Sequence, residues 1–309
     1  MSGNLSRSMR ENYGTHGVDE VGLYYKIVGS SYRNPHFPGI KQSINILMNK
    51  WWQNEAARTA ESKDSGILIC DLAAGSGEVT IALQEWWETC RNRVTPTPNT
   101  TPNLTAGASQ PAPTPTPRPA VARPAVGRPA ASTSTLLAPF PVISPTDPAP
   151  RIVAVDPYTA DAYLQRTGLP CIALSFQDVT QDGLPEPLPS DPPKISKLDD
   201  DDSIPEPEVL EPSDTQSTPT RQLYDLVICS FALHLVTSPG ALFALLSTLS
   251  YGAKWLVVLE PHKKPEIKDG WGWTLWDVVR WKEAEVGPGK EGDFVKERVH
   301  TRVYKSTNS

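Results

Sequence analysis

Three short apolar runs in this chain end in, or lead to, an acid. Ile67-Leu68-Ile69-Cys70-Asp71-Leu72 carries Asp71 and runs into Ala73-Ala74-Gly75-Ser76-Gly77; Arg151-Ile152-Val153-Ala154-Val155 ends on Asp156; the run from Cys171 to Phe176 is followed by Gln177-Asp178. These residue types suit the recognition of a nucleoside. Gly75 and Gly77 lack a Cβ, so the backbone can approach a ligand closely. A helix predicted to begin near Glu78 offers free N–H donors beside them. Asp156 is placed to accept two hydrogen bonds from a ribose diol, and Asp178 to accept from an exocyclic amine on a base.

The elements that must hold these residues read as alternating strands and helices. Strands are predicted over 67–72, 151–156, 171–176, 224–230 and 255–260, with a last extended segment over 294–304. The first is continuously apolar rather than alternating, which suits a parallel strand buried on both faces. Helices are predicted from Ile40 to about Arg58, Glu78 to Cys90, Thr159 to about Arg166, after the fourth strand to about Ser250, and from Trp271 to about Val286. In the first, Ile44, Leu47, Met48, Trp51 and Trp52 fall near one face. The pattern is that of an α/β protein with a doubly wound, mostly parallel sheet. In such sheets ligands sit beyond the carboxyl ends of the strands, where the strand order reverses.

A dinucleotide would require G-x-G-x-x-G. Here the third position is Thr80, which argues against a pyrophosphate and against a nicotinamide-linked dehydrogenase. The pattern from Asp71 to Thr80 instead resembles motif I of the class I S-adenosylmethionine-dependent methyltransferases. Arg151 to Asp156 is similar to the second motif of that family, Phe176-Gln177-Asp178-Val179 to the third, and Tyr224 to His234 to the fourth. The four occur in family order.

The resemblance implies a Rossmann-like methyltransferase domain over 65–309, preceded by a helical lid or cap segment over 1–64. It implies S-adenosylmethionine as cofactor, held by Asp71, Ala73, Gly75, Gly77, Asp156, Pro157, Gln177, Asp178 and Ser230. Motif I usually carries Gly where this chain has Ala73, tolerable if φ there is negative. The family's sheet usually finishes with an antiparallel pair, of which only 294–304 is legible. Tyr25, Tyr32, Arg33 and His36 lie where this family often places a lid or substrate contacts. His262 and His234 are the candidate bases, and the residue types call for no metal. N-P-P-[YF] is absent after the fourth strand, which disfavours an adenine-N6 or glutamine acceptor. A small molecule is the first expectation, with a protein or RNA acceptor as the alternative.

Composition divides the chain further. Of 32 prolines, fifteen lie between Asn92 and Pro150 and nine between Asp182 and Gln222, leaving eight elsewhere. These stretches read as low-complexity inserts at about 92–150 and 182–222, too poor in apolar surface to order themselves. The first is basic through Arg93, Arg118, Arg123 and Arg128. The second carries Asp199-Asp200-Asp201-Asp202 and accounts for more than the whole net charge of −6. The remainder is near neutral, so DNA is not an expected partner. The inserts could dock protein partners, in which case the domain would be a cofactor-binding scaffold.

Trp271, Trp273, Trp276 and Trp281 fit core packing better than an aromatic box. Cys70, Cys90, Cys171 and Cys229 form no C-x-x-C pair and read as reduced core thiols. No apolar leader follows the basic residues near the start, and no run is long enough to span a membrane. Cytoplasm or nucleus is the expected location.

Overall fold

The computed structural model describes residues 33–59, 66–93, 139–187, 222–285 and 292–309. Most of both predicted inserts, with their proposed docking segments, lies outside these residues, as do Tyr25 and Tyr32. In chain order the elements are α1 (Phe37–Thr59), β1 (Leu68–Leu72), α2 (Glu78–Arg91), β2 (Arg151–Val155), α3 (Ala160–Thr167), β3 (Cys171–Ile172), α4 (Phe176–Asp182) and β4 (Tyr224–Ser230). A 3-10 turn (Leu233–Leu235), α5 (Pro239–Gly252), β5 (Ala253–Glu260), β6 (Trp273–Asp277), β7 (Lys282–Glu283), β8 (Phe294–Lys296) and β9 (Val299–Ser306) complete them.

Among the described residues, nine strands form one sheet in the order β3-β2-β1-β4-β5-β9-β6-β7, with β8 also on β9. β1 to β5 are parallel, and β9 inserts antiparallel between β5 and β6. The doubly wound expectation holds, and the order reverses between β1 and β4.

Register explains the two-sided core. Ile69 aligns with Leu226, and Leu226 with Trp255. These side chains share a face with Ile228 and Val257, against Ile40, Ile44, Leu47, Met48 and Trp51 of α1 and Val79, Leu83 and Trp86 of α2. The intervening Cys70, Val227 and Leu256 pack on the opposite face against Leu242, Leu245 and Leu249 of α5. Both faces of the central strands are therefore apolar, as continuous runs predict. α1 thus belongs to the same core as the domain it precedes. No helix of the described residues is long and apolar enough to cross a membrane.

Five expectations are corrected. The segment predicted as a helix from Trp271 to Val286 forms β6 and β7. Gly272, inside the predicted helix, takes φ of 87°, which a right-handed helix interior does not accept. Trp273-Thr274-Leu275-Trp276 then alternates across the sheet. Trp273 packs with α5 and donates from its indole to Leu246 O at 2.8 Å, while Trp276 meets Trp255 on the other face. This supplies the missing antiparallel partner of β9, and the tryptophans pack as core rather than as a box.

The third strand is short, ending at Ile172, because Ser175 starts α4. Its hydroxyl accepts from Asp178 N–H, and the Asp178 carboxylate accepts from Ser175 N–H. His234, expected on the helix that follows the fourth strand, lies in the 3-10 turn ahead of α5. The first insert ends earlier than predicted, since Ile143 is buried and Arg93 donates to Phe140 O at 2.6 Å. The start of the second predicted insert is likewise folded: Leu184 is buried, and Tyr224 donates to Pro185 O at 2.7 Å.

All four cysteines are free; Cys70, Cys90 and Cys229 are buried and Cys171 half-buried. Burial pushes their thiols up, those of Cys90 and Cys171 to about 11 and about 12. They are packing residues rather than nucleophiles.

Candidate active site

A cavity of about 430 Å³ opens beyond the carboxyl ends of β1, β2 and β4. That volume falls in the range of small-molecule and cofactor sites. The β1–α2 turn and the β2–α3 turn make its floor, and they are tied to each other. Gly75 N–H donates to Asp156 Oδ2 at 3.0 Å, and the Thr159 hydroxyl donates to Gly75 O at 2.6 Å. The other Asp156 oxygen accepts from Tyr158 and Thr159 N–H at 2.9 and 3.0 Å. These three amides hold the carboxylate at the cavity and leave a lone pair on Oδ2, since Oδ1 already accepts twice.

The predicted residues separate into two groups. Ala73, Gly75, Asp156, Pro157, Gln177, Ser230 and His234 line the one cavity. Asp71, Gly77, Asp178 and His262 do not. Asp71 is fully buried beneath the turn and accepts from the Thr80 hydroxyl at 2.7 Å. Tyr163 in turn donates to Thr80 at 2.6 Å. Burial pushes the Asp71 carboxyl up to about 7, only partly offset by the Thr80 hydrogen bonds. Asp71 therefore holds the turn.

Gly77 faces α3: a Cβ there would lie 2.3 Å from Thr167 Cγ2. Its glycine is required by helix packing and by a φ of 89°. Asp178 is engaged by Ser175 N–H and hydroxyl, both at 2.7 Å, as the cap of α4. The Ser175 N–H holds its carboxyl below the usual range. It does not reach the cavity, where Ser175, Phe176 and Gln177 stand instead. His262 is exposed in the loop after β5.

Ala73 takes φ of 56°, against the expectation of a negative angle. The left-handed region costs a residue with a Cβ about 1–2 kcal/mol, so the usual Gly would be less strained here. Arg33 and His36 lie outside the cavity wall, but their segment reaches it. Asn34 lines the cavity and its N–H donates to Glu78 Oε1 at 3.2 Å. His36 stacks on Phe231, another lining residue, at 5.1 Å between ring centres.

Sequence reasoning missed Asn34, Glu78, Phe176 and Glu260. Glu78 is buried; its Oε1 accepts from the Ser76 hydroxyl at 2.9 Å and from Arg166 Nη1 at 2.6 Å. As the first residue after the glycine turn it was within reach of a motif reading. The Ser175-x-x-Asp178 capping box was legible as well. Glu260, at the end of β5, is completely buried. His234 donates to it twice, from ring Nδ1 to Oε2 at 2.5 Å and from N–H to Oε1 at 3.3 Å.

The donor set tests the ligand expectation. Among the described residues, Glu78 and Asp156 line the cavity and no lysine or arginine does. Arg166 pairs Glu78 from behind the wall, so Asp156 supplies the uncompensated charge. An acid on the wall with no lysine or arginine beside the ligand disfavours a pyrophosphate and suits a nucleoside carrying positive charge. Gly75 is open on the cavity side, where a Cβ would meet nothing closer than Glu78 Oε2 at 3.9 Å. The residues present fit S-adenosylmethionine, whose sulfonium and ammonium are cationic.

Parallel strands in the order 3-2-1-4-5, an antiparallel strand beside β5, and this cavity at the switch point define the class I S-adenosylmethionine-dependent methyltransferase fold. Within that class the particular family follows from sequence. The chain is 34% identical over 305 residues to the uncharacterized protein C17A5.05c of Schizosaccharomyces pombe, covering 99% of this chain and 94% of that one. It belongs to the family of that protein. No family model matches the chain.

Among solved structures, magnesium protoporphyrin IX methyltransferase from Synechocystis PCC 6803 with bound S-adenosylmethionine is 12% identical, with a TM-score of 0.35, covering 99% of this chain and all of that one. A TehB-like S-adenosylmethionine-dependent methyltransferase from Corynebacterium glutamicum is 9% identical, with a TM-score of 0.34, covering 83% and 94%. Strand order and the cavity at the switch point, not these likenesses, define the fold.

Proposed function

We propose that this protein transfers the methyl group of S-adenosylmethionine to a small-molecule acceptor. The observation that carries the reading is the Asp156–Gly75 floor: an acid at the end of β2, fixed by three backbone N–H groups, beside a glycine that puts no side chain between its backbone and the cavity. Bound there, the cofactor supplies an electrophilic methyl carbon. The chain's own part is to bind, orient and exclude water, so alignment is the main source of rate.

Asp156 takes the ribose hydroxyls. Ser175, Phe176 and Gln177 take the adenine, in place of Asp178. Glu78 and the turn at Ala73 and Gly75 face the charged end. A small acceptor is supported by the cavity's volume and by the segment at Asn34 and His36 tied to its wall through Glu78 and Phe231. The near-neutral charge outside the inserts gives no field for a nucleic-acid backbone.

The test is calorimetric titration with S-adenosylmethionine and with S-adenosylhomocysteine. Micromolar binding that Asp156→Ala abolishes is the expected result. No binding to either by a protein that melts cooperatively would overturn the reading.

A further inference from the structure

Within the methyltransferase reading, on which this step rests, the His234–Glu260 pair names the kind of acceptor. Glu260 lies behind the cavity wall with no exposed surface, and its carboxylate accepts from His234 by ring and backbone together. A buried carboxylate that accepts from Nδ1 fixes the tautomer with the proton on Nδ1 and leaves Nε2 with a lone pair. His234 itself lines the cavity, at the end of β4, where Phe231, Ala232, Leu235 and Val236 add apolar surface. Phe231, three residues before it, holds φ of 56°. A strained non-glycine residue at a ligand site is held there by its surroundings. Here Phe231 N–H is anchored to Leu259 O at 2.8 Å, next to Glu260. The strained turn, the carboxylate and the imidazole form one construction aimed at the cavity.

We infer that His234 is the general base of a hydroxyl methylation, with Glu260 as its positioning residue and an acceptor whose hydroxyl sits on an apolar body. An amine acceptor arrives with its own lone pair and needs no such pair of residues. A hydroxyl must lose a proton as it attacks. In the step, the acceptor oxygen forms a bond to the methyl carbon while its proton passes to His234 Nε2. The carbon–sulfur bond breaks and its electron pair stays on sulfur. The products are a methyl ether, a neutral thioether and an imidazolium held against the Glu260 carboxylate. The positive charge that began on sulfur ends on the histidine.

The test uses the full chain and simple phenols as probes: unsubstituted alkyl phenols, whose pKa is near that of tyrosine at about 10, and an acidic nitrophenol already ionised at pH 8. His234→Gln lowers kcat for the alkyl phenols by about 10²–10⁴-fold, the usual contribution of a positioned base, and changes that for the nitrophenol far less. Glu260→Gln gives the same selective loss in kcat with KM unmoved. Calorimetry with S-adenosylhomocysteine keeps both variants honest as folded, cofactor-binding proteins. Equal losses on both kinds of phenol overturn the base assignment. Wild-type protein that binds S-adenosylhomocysteine yet methylates no phenol overturns the hydroxyl-acceptor inference alone. Failure to bind S-adenosylhomocysteine overturns the methyltransferase reading beneath it.

Discussion

Gly75 and Asp156, from turns far apart in the chain, meet in a 3.0 Å hydrogen bond that joins the ends of β1 and β2. The same carboxylate serves the fold and faces the cavity. Asp156→Ala should therefore cost both stability and binding. A hydrogen bond to a charged group contributes about 1.5–3 kcal/mol, and freed amides add a penalty. We expect thermal unfolding several degrees lower and affinity for S-adenosylhomocysteine reduced by at least about tenfold. Asp156→Asn should recover more of the stability than of the affinity, because the amide keeps one acceptor and loses the charge.

The glycines of the turn should separate in the same way. Gly77→Ala places a Cβ 2.3 Å from Thr167 Cγ2 in a backbone at φ 89°. Overpacking and left-handed strain together should lower stability by about 2–4 kcal/mol. Gly75→Ala meets open space at φ 55°, so its folding cost is the strain alone, while its methyl enters the cavity and weakens binding. Denaturation and calorimetry on the two variants should give opposite rankings.

Ala73→Gly should stabilise. Elsewhere this change costs about 0.4–1 kcal/mol through the unfolded chain, but at φ 56° it also removes about 1–2 kcal/mol of left-handed strain. The net expectation is a small gain in urea midpoint. A loss of stability would mean that the Ala73 methyl packs better than its strain costs.

Asp71 makes stability depend on pH. Its carboxyl is pushed from 3.8 in the open chain to about 7 in the folded protein, chiefly by burial. The folded state then binds the proton more tightly than the unfolded one between those values. Its contribution is complete below about pH 4 and is lost as pH rises through 7. Asp71→Asn should flatten the fall in denaturation free energy between about pH 4 and pH 7. An unchanged slope would place the titration elsewhere.

Asp178 should behave as a cap. Asp178→Ala removes both acceptor bonds to Ser175 and should cost about 1 kcal/mol of stability. Its effect on cofactor affinity should be smaller than that of Phe176→Ala, which deletes a cavity wall. Melting and calorimetry on the two variants decide this.

The apolar runs ending at Asp71 and Asp156, the small-residue turn and the ordered strand–helix alternation determined the parallel half of the sheet and most of the cavity floor. These features are local: a buried parallel strand must be apolar on both faces, and a close-approach turn must lack side chains. What each acid does is not local. Asp71, Asp156 and Asp178 look alike at strand ends, yet one is buried under the turn, one stands at the cavity and one caps a helix. Packing against Thr80, Gly75 and Ser175 decides among them. The tryptophan segment over 271–286 was equally undetermined, because its spacing fits a helix face and a strand alternation alike. Only the open edge of β9, with a core on each side of the sheet, selected the strand. Glu260 had no motif to announce it, since its meaning comes from a histidine 26 residues earlier, brought beside it by the pairing of β4 with β5.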